Sequence, residues 1–567
     1  MHHAQPTWWC VAEIIARVLL GIDAPRGVAP PCRTLRTRIL AVEVPQAVQG
    51  QLAPSWCLVV DNDSLRAVSK TELQLVVGHL GPVEHGEVAL RPLTVFIGRN
   101  NTGKTYVAQA LYACRQAVRS VMPRHAEELS DDERAALEVF ARERHDALVN
   151  GDIARQGLPA QLHDYVARAL RSGLEDTGRE VSLRLKATFG VDDLTRITSR
   201  GNGEGLRFEV KSSEAGGADI CLFSSGGTTA PVGRILRELE IDWTEFDDFY
   251  PDFYPLSTLL SQETDRDELA RLYSRLAWIM TQGCWHSFLE NARLGGSTHY
   301  LPAGRSGLLN AWTDVVKLRI QLERERYGLP SFADPSLDGV ALDFISSLAD
   351  VLGPRRRFRP HSFFGSERPS EQDALKPAIS LLKVLMEGTI SPEPDGEIVP
   401  TLAYEQDGHS IAIRHASSMV ADLAPLAIWV DRLLAPGDLL IVDEPESHLH
   451  PEAIRLMARV LVRLANCGVQ VVCATHSSIL LNEISNCVLR HETSTSTSDE
   501  LTPTYTPDDF LAVNDLAIHR FLRDESTKMV TVERVEVDPQ WGIPEDEFVK
   551  VAEDLTEESA RLIGLLD

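Results

Sequence analysis

The sequence of 567 residues lacks the cysteine pattern of a disulfide scaffold or a zinc finger. Its nine cysteines are scattered, odd in number and free of any C-x-x-C pair, which indicates reduced thiols in a cytosolic setting. It also lacks an apolar run of the ~18 residues that span a bilayer. The stretch "VAEIIARVLLGI" carries Glu13 and Arg17, which distinguishes it from a signal peptide. We therefore expect a cytoplasmic protein with no membrane partner.

Positive charge is scarce, because Lys+Arg total 56 against 82 for Asp+Glu, a formal net charge of -26. Such a surface repels nucleic acid unless a local basic patch attracts it. Residues 353–369, "GPRRRFRPHSFFGSERP", form the one candidate, with arginines clustered at positions 355, 356, 357 and 359 and three phenylalanines. They predict a contact with a phosphate backbone. The alternative is that this loop pairs with the acidic, aromatic residues 238–267 of the same chain.

A phosphate-binding loop is present in "TVFIGRNNTGKTYVAQALY", which begins at Thr94. The pattern G-x-x-x-x-G-K-[ST] is satisfied between a buried strand and a helix, as the motif requires. Its glycines permit turns that a side chain would block, and Asn101 tolerates a left-handed conformation. Loop amides and the helix N-terminus would face phosphate oxygens, with Lys104 on the β and γ phosphates and Thr105 on Mg²⁺. The predicted ATP-binding residues are Gly98, Arg99, Asn100, Asn101, Thr102, Gly103, Lys104, Thr105 and Tyr106.

Two further segments, distant in sequence, end strands with chemically useful side chains. The apolar run "LLIV" leads into Asp443 and Glu444, and "VQVVCA" leads into Thr475 and His476. Carboxylates at the carboxyl ends of parallel strands lie in the crevice beside a phosphate loop. We expect Asp443 to hold Mg²⁺ and Glu444 to act as general base on the attacking water. His476 would bond the γ-phosphate.

A capped helix is predicted just before these carboxylates, in "IRHASSMVADLAPLAIWVDRLLAPGD". Ser417 or Ser418 would supply the N-cap. Pro425 lies inside the helix and should kink it or mark a restart.

These motifs, in this order, resemble the ATP-binding cassette (ABC) ATPase superfamily. The likeness is closest to structural-maintenance-of-chromosomes (SMC) heads and to the OLD-like ATPases of prokaryotic anti-phage defence, including Septu-type subunits. It covers about residues 72–492 and depends most on "GRNNTGKT", "DEPESHLHP" and "THSS". The implied fold is an α/β P-loop NTPase of ABC/SMC-head type with an inserted helical lobe and a small C-terminal α/β region.

The resemblance implies roles for individual residues. Residues 98–105 match Walker A, Asp443 and Glu444 match Walker B, His450 lies in the D-loop, and His476 matches the switch histidine. Ser417 and Ser418 match the signature serines, which in this superfamily reach the γ-phosphate of a second head. An ATP-dependent dimer or higher oligomer is therefore expected. Arg305, in "PAGRSG", is a candidate to line the site in the way a Q-loop does.

The sequence departs from the family pattern in two ways. Met419 and Val420 follow the signature serines where two glycines are usual, which predicts slow hydrolysis. The segment after Glu492 lacks the clustered Glu and Asp-x-Asp pattern of a Toprim nuclease, so we do not expect nuclease activity in this chain.

The predicted organisation has six parts. They are an N-terminal extension of unknown role (1–69), the ATPase lobe with Walker A (70–125), a mainly helical insert with some strands (126–400), the ATPase lobe with signature, Walker B, D-loop and H-loop (401–491), a linker (492–507), and the C-terminal region (508–567). Within the insert, "VSLRLKATFGVDDL" and "GLRFEVKSS" are predicted as strands.

The function predicted from sequence is Mg²⁺-dependent ATP binding and hydrolysis by a self-associating ATPase. It would control a separate effector, such as a nuclease or toxin from a neighbouring gene, in DNA transactions or anti-phage defence. One alternative is a nucleotide-gated regulator that binds ATP with little turnover. The other is the energy subunit of a membrane transporter, which the absent Q-loop glutamine and the motif "DEPESHLHP" disfavour.

Overall fold

A computed structural model describes most of the chain from residue 71 onward. The described residues are 71–121, 129–149, 159–197, 207–212, 220–224, 266–291, 294–311, 339–352, 374–392, 402–493, 505–544 and 546–564. The N-terminal extension, the basic residues 353–369 and most of residues 238–267 lie outside them. The chain divides into two units, residues 1–67 with 142–154 and residues 68–141 with 155–567. Apart from residues 142–149, everything below belongs to the second unit.

The described strands form one large mixed sheet and one small antiparallel sheet. The large sheet has ten strands in the order β5-β4-β1-β2-β13-β12-β3-β11-β10-β6, and the small one has the order β7-β8-β9. Their bounds are β1 Thr71–Leu80, β2 Val83–Ala89, β3 Leu93–Gly98, β4 Arg207–Ser212, β5 Ile220–Ser224, β6 Thr298–Leu301, β7 Thr389–Pro392, β8 Leu402–Gln406, β9 His409–Ala412, β10 Leu439–Asp443, β11 Gln470–Ala474, β12 Leu516–Arg523 and β13 Val530–Val535.

Helices cover both faces of the large sheet. Their bounds are α1 Lys104–Ser120, α2 Asp131–Val149, α3 Ala160–Phe189, α4 Arg266–Asn291, α5 Gly339–Leu352, α6 Lys376–Met386, α7 Ser418–Arg432, α8 Pro451–Asn466, α9 Ser478–Thr493 and α10 Asp546–Gly564. No helix in the described ranges is long and apolar enough to cross a membrane.

Strand β3 lies in the middle of the parallel part of the sheet. It pairs in parallel with β11 on one side and with β12 on the other, and β11 continues to β10 and then β6. All six residues of β3 are buried, as expected for a strand with both faces covered. The carboxyl ends of these five strands therefore meet at one edge, where a ligand site is expected.

Alternating side chains of β3 point into two separate hydrophobic cores. Phe96 belongs to one core, with α1, α3 and α4. Val95 and Ile97 belong to the other, with α7, α8 and α9. The period-two alternation of a strand explains this division, and it fixes β3 rigidly at the point where the phosphate loop begins.

The C-terminal region contributes strands to the large sheet. Its strands β12 and β13 lie within the large sheet, between β3 and β2. The region predicted as an insert also supplies β4, β5 and β6 to this sheet. These pairings join segments that are distant in sequence, and local pattern does not encode which strand edges will meet.

One predicted strand is a helix. The segment "VSLRLKATF" forms the last turns of α3, which ends at Gly190 with φ 61. Buried Val181 and Leu185 are four positions apart, the spacing of one helix face, and alternation over so short a run was misleading. The segment "RFEVKS" is strand β4, as predicted. Helix α7 runs without interruption through Pro425.

A buried ion pair anchors the start of the C-terminal region. The Asp509 carboxylate is fully buried and lies 2.7 Å from Arg459 and 2.6 Å from Arg463, both on α8. The Arg459 guanidinium also lies 4.7 Å from the centre of the Tyr505 ring. These contacts hold residues 505–511 against α8 and thereby lead the chain back to β12 beside the phosphate loop.

Candidate functional site

The phosphate loop, residues 98–105, connects β3 to α1. Gly98 and Gly103 have φ of 137° and 93°, and Asn101 has φ of 61°, the left-handed conformation expected for it. A Cβ on Gly98 would lie 2.6 Å from the Phe521 carbonyl oxygen of β12. The loop therefore requires glycine here for its own turn and because β12 approaches its backbone closely.

Lys104 is folded into the loop. Its Nζ donates hydrogen bonds to the carbonyl oxygens of Gly98 and Arg99, both at 2.8 Å, and only 5 % of the residue is exposed. The Thr102 hydroxyl also donates to the Arg99 carbonyl, at 2.8 Å. An ammonium held inside a loop at a helix N-terminus creates a compact positive site of the kind that binds phosphates.

The structure brings Asp443 to the phosphate loop. The Thr105 hydroxyl donates to Asp443 Oδ1 at 3.3 Å, and the Tyr300 hydroxyl donates to Oδ2 at 2.9 Å. Burial raises the pKa of the Asp443 carboxyl, while these two hydrogen bonds oppose the rise. A hydroxyl and a carboxylate oxygen are ligands that suit Mg²⁺, which takes its remaining ligands from water and substrate phosphates. The residues present therefore fit the expected metal.

Glu444 follows Asp443 at the end of β10. Its φ is 48°, and its amide donates to the Ala474 carbonyl at 2.9 Å. The half-buried carboxylate accepts a hydrogen bond from the Ser447 hydroxyl at 3.1 Å. The chain thus turns sharply after Asp443, and the two successive acids occupy different environments.

Glu446 links this turn to the end of β11, a contact that sequence reasoning missed. Its Oε1 accepts hydrogen bonds from the Thr475 hydroxyl at 2.8 Å and from the His476 amide at 2.7 Å. Burial raises the pKa of the Glu446 carboxyl, and these donors oppose the rise. The third acid in "DEPE" was the only available signal for this role.

His476 lies at the carboxyl end of β11, beside the loop. Burial and the nearby Lys104 charge lower the pKa of the imidazole, against the opposing effects of Glu444 and of a hydrogen bond involving the Gly98 backbone. The ring is therefore neutral at pH 7 and retains one donor and one acceptor nitrogen.

Arg305 occupies a different place from the one expected. It is 2 % exposed and donates to the main-chain oxygens of Asp443 at 2.9 Å and Glu444 at 3.3 Å. It also forms an ion pair with Asp422 of α7 at 3.3 Å. The side chain therefore supports the backbone behind the carboxylates and does not line the site as a Q-loop residue would.

The remaining predicted residues lie at the periphery. Ser417 caps α7 by accepting a hydrogen bond from the Val420 amide at 3.3 Å, and both Ser417 and Ser418 are exposed. Tyr106 is 39 % exposed, with its ring 5.1 Å from that of Phe189. Arg99 and Asn100 are exposed at the tip of the loop, where Arg99 lies 3.6 Å from Glu525.

Comparison with known proteins supports an ATPase domain. Residues 340–482 match the family model described as "AAA domain, putative AbiEii toxin, Type IV TA system". The Old nuclease of Escherichia phage P2 is 28 % identical over 107 residues, which are 19 % of this chain and 18 % of that protein. The chain thus matches less than a fifth of the length of this curated relative. Together with the loop and sheet, the family match indicates an AAA-type P-loop ATPase domain.

Solved structures of SMC heads are similar to most of the chain at low identity. An SmcHead bound to the C-winged helix domain of ScpA has 10 % identity and a TM-score of 0.31, over 82 % of this chain and 98 % of that one. The SMC head domain from Thermotoga maritima has 10 % identity and a TM-score of 0.26, over 82 % and 99 % of the two chains. The predicted α/β P-loop NTPase fold is confirmed. In this chain it is supported by the mixed sheet and by the phosphate loop that follows β3.

Proposed function

We propose that this protein binds ATP with Mg²⁺, hydrolyses it, and uses the nucleotide to control self-association. The observation that carries the proposal is the hydrogen bond between Thr105 and Asp443, at 3.3 Å. It joins the end of the phosphate loop to the carboxyl end of β10. A hydroxyl and a carboxylate from two segments distant in sequence, both suited to Mg²⁺, therefore lie next to each other. Lys104 lies in the same loop with its ammonium already oriented inward.

Each side chain has a defined task in this proposal. The loop amides and Lys104 hold the β and γ phosphates, while Thr105 and Asp443 hold Mg²⁺, which neutralises charge on the phosphate oxygens. Glu444 accepts a proton from the attacking water. The neutral His476 donates a hydrogen bond to the γ-phosphate.

The second part of the proposal concerns a second copy of the chain. Ser417 and Ser418 are exposed at the N-terminus of α7, where a hydroxyl and the helix dipole favour an anion. We infer that these groups engage the γ-phosphate bound by another copy. The closed dimer would then act on a separate effector in DNA transactions or anti-phage defence, for which the match to the phage Old nuclease is the supporting observation.

The experiment measures phosphate release by the wild type, Glu444→Gln and the matched control Glu452→Gln. Glu452 is an exposed glutamate in the first turn of α8, so its change should leave turnover intact. We expect Glu444→Gln to lower turnover by about 100-fold or more while ATP still binds. Tight ATP binding by the wild type with no phosphate release would instead support the nucleotide-gated regulator suggested by Met419.

Self-association is tested separately by sedimentation velocity with and without ATP and Mg²⁺. We expect Glu444→Gln to form dimers with ATP, because nucleotide stays bound, and Lys104→Ala to remain monomeric. Oligomers of equal size in all samples would contradict ATP-driven closure.

A further inference from the structure

A buried carboxylate on α7 lies directly behind the proposed catalytic loop. Asp422 is completely buried, and its Oδ2 lies 3.3 Å from Arg305 Nη2 and 3.1 Å from His448 Nδ1. Arg305 belongs to the segment after β6, and His448 belongs to the loop between β10 and α8. One carboxylate thus joins α7 to two other segments, one of them more than a hundred positions away in sequence.

Arg305 transmits this attachment to the main chain of the two proposed catalytic acids. Its Nη1 donates to the Asp443 carbonyl at 2.9 Å, its Nη2 to the Glu444 carbonyl at 3.3 Å, and its Nε to the Asp422 carbonyl at 3.0 Å. A planar guanidinium presents its donors in a fixed fork. Its binding to Asp422 therefore also fixes where the two carbonyl groups lie.

The backbone held in this way is in a costly conformation. Glu444 and His448 have φ of 48° and 60°, and residues other than glycine adopt this region only where their surroundings enforce it. Asp422 is bound to both ends of the strained stretch, through Arg305 at Glu444 and directly at His448. The contacts of Asp422 and Arg305 therefore lie at the two residues whose backbone conformation is costly.

The charge arrangement is poorly suited to stabilising the fold. Within the described part of the chain, Asp422 Oδ1 has no hydrogen-bond partner although it is buried. A buried ion pair with an unsatisfied oxygen rarely stabilises a protein relative to apolar side chains of similar volume. The contacts of this pair are better explained by the geometry that they impose on the loop.

We propose that Arg305 and Asp422 are positioning residues that hold the main chain of Asp443 and Glu444 in the geometry needed for metal binding and water activation. Both residues would act through the main chain of the loop and not on the nucleotide itself. The inference rests on the proposed ATPase function, and it adds that α7, whose N-terminus carries the exposed serines, is connected to the carboxylates through this buried link.

The test compares Arg305→Lys and Asp422→Asn with a matched control, Arg459→Lys. Arg459 is another buried arginine paired with a buried aspartate, Asp509, but it lies on α8 in a pair that does not contact the loop. Lysine keeps the charge and loses the fork. Binding of the non-hydrolysable analogue adenylyl imidodiphosphate is measured with Mg²⁺ and with EDTA, together with phosphate release from ATP and thermal unfolding.

We expect the two positioning variants to bind the analogue in EDTA as the wild type does. Their Mg²⁺-dependent gain in affinity and their turnover should each fall by about 10–100-fold, the usual effect of removing a group that orients metal ligands. Arg459→Lys should lose stability without either effect. If Arg305→Lys and Arg459→Lys behave alike, the inference is wrong.

His448→Ala keeps the inference testable if both buried variants fail to fold. This side chain is about half exposed, and its removal breaks only one of the two attachments of Asp422. A several-fold loss of turnover with unchanged analogue binding in EDTA is expected, and wild-type turnover would overturn the inference. A wild type that neither binds the analogue nor releases phosphate would instead refute the proposed function itself.

Discussion

Phe521 connects the C-terminal region to the phosphate loop, and its truncation should affect both stability and nucleotide binding. The residue lies opposite Gly98 in the pairing of β12 with β3. It is 1 % exposed, and its ring centre lies 5.5 Å from that of Phe96. Phe521→Ala therefore removes a large buried side chain at the start of the loop.

The expected magnitude follows from this burial. Truncating a fully buried phenylalanine costs about 3–5 kcal/mol, a large part of the ~5–15 kcal/mol that stabilises a typical protein. The cavity lies under the loop backbone, so the loop should lose part of its preorganised shape. We expect ATP to bind at least about tenfold more weakly, which corresponds to ~1.4 kcal/mol.

The assay combines urea denaturation with ATP titration, and Ile543→Ala is the control. Ile543 is a buried residue of the C-terminal region, 5 % exposed, in the other hydrophobic core, and its truncation should cost about 2–5 kcal/mol. Both variants should unfold at lower urea, but only Phe521→Ala should weaken ATP binding. Equal ATP affinities in the two variants would refute the reasoning.

Three further predictions concern the loop and two buried titratable groups. Asp509→Ala should cost about 3–5 kcal/mol in urea unfolding, because both α8 arginines that bind this carboxylate stay buried without it; a loss below ~1 kcal/mol would contradict this. Gly98→Ala should abolish ATP binding in equilibrium dialysis while the protein stays folded, since its Cβ would lie 2.6 Å from the Phe521 oxygen. Burial lowers the pKa of His519 from 6.5 to about 4, so the folded protein keeps this ring neutral. The stability that the neutral ring contributes to the folded state is fully present above pH 6.5. It is lost progressively as the pH falls toward 4, and the total loss is up to about 3 kcal/mol. His519→Gln should weaken this acid dependence in unfolding experiments.

Local sequence was sufficient for the elements around the loop. The buried strand before Gly98, the left-handed Asn101 and the serine cap of α7 follow from short-range rules of sterics and capping. The strands that end in Asp443 and at Ala474 follow from their continuous apolar runs. Each of these features depends on a few neighbouring residues, which is why a single sequence could predict it.

Local sequence was misleading where a segment's partner decided its structure. Polar and apolar residues alternate over a few positions at the end of α3, as they do in a strand. The segment is nevertheless the last part of a long helix that packs on α1. Arg305 looked like a residue that lines the site, because its segment follows a strand. Its buried partners, Asp422 and two main-chain carbonyls, are more than a hundred positions away and leave no local pattern.

The sequence by itself predicted the chemistry: a loop with the pattern of a phosphate-binding loop, a hydroxyl and an aspartate suited to Mg²⁺, and a glutamate and a histidine at strand ends. Motif spacing encodes these because each group is placed by its own strand or helix terminus. Tertiary structure alone decided that β12 lies beside β3 and that Arg305 pairs with Asp422 behind the main chain of Asp443 and Glu444. Strand order and buried ion pairs depend on which distant surfaces meet, and that is settled by packing of the whole chain.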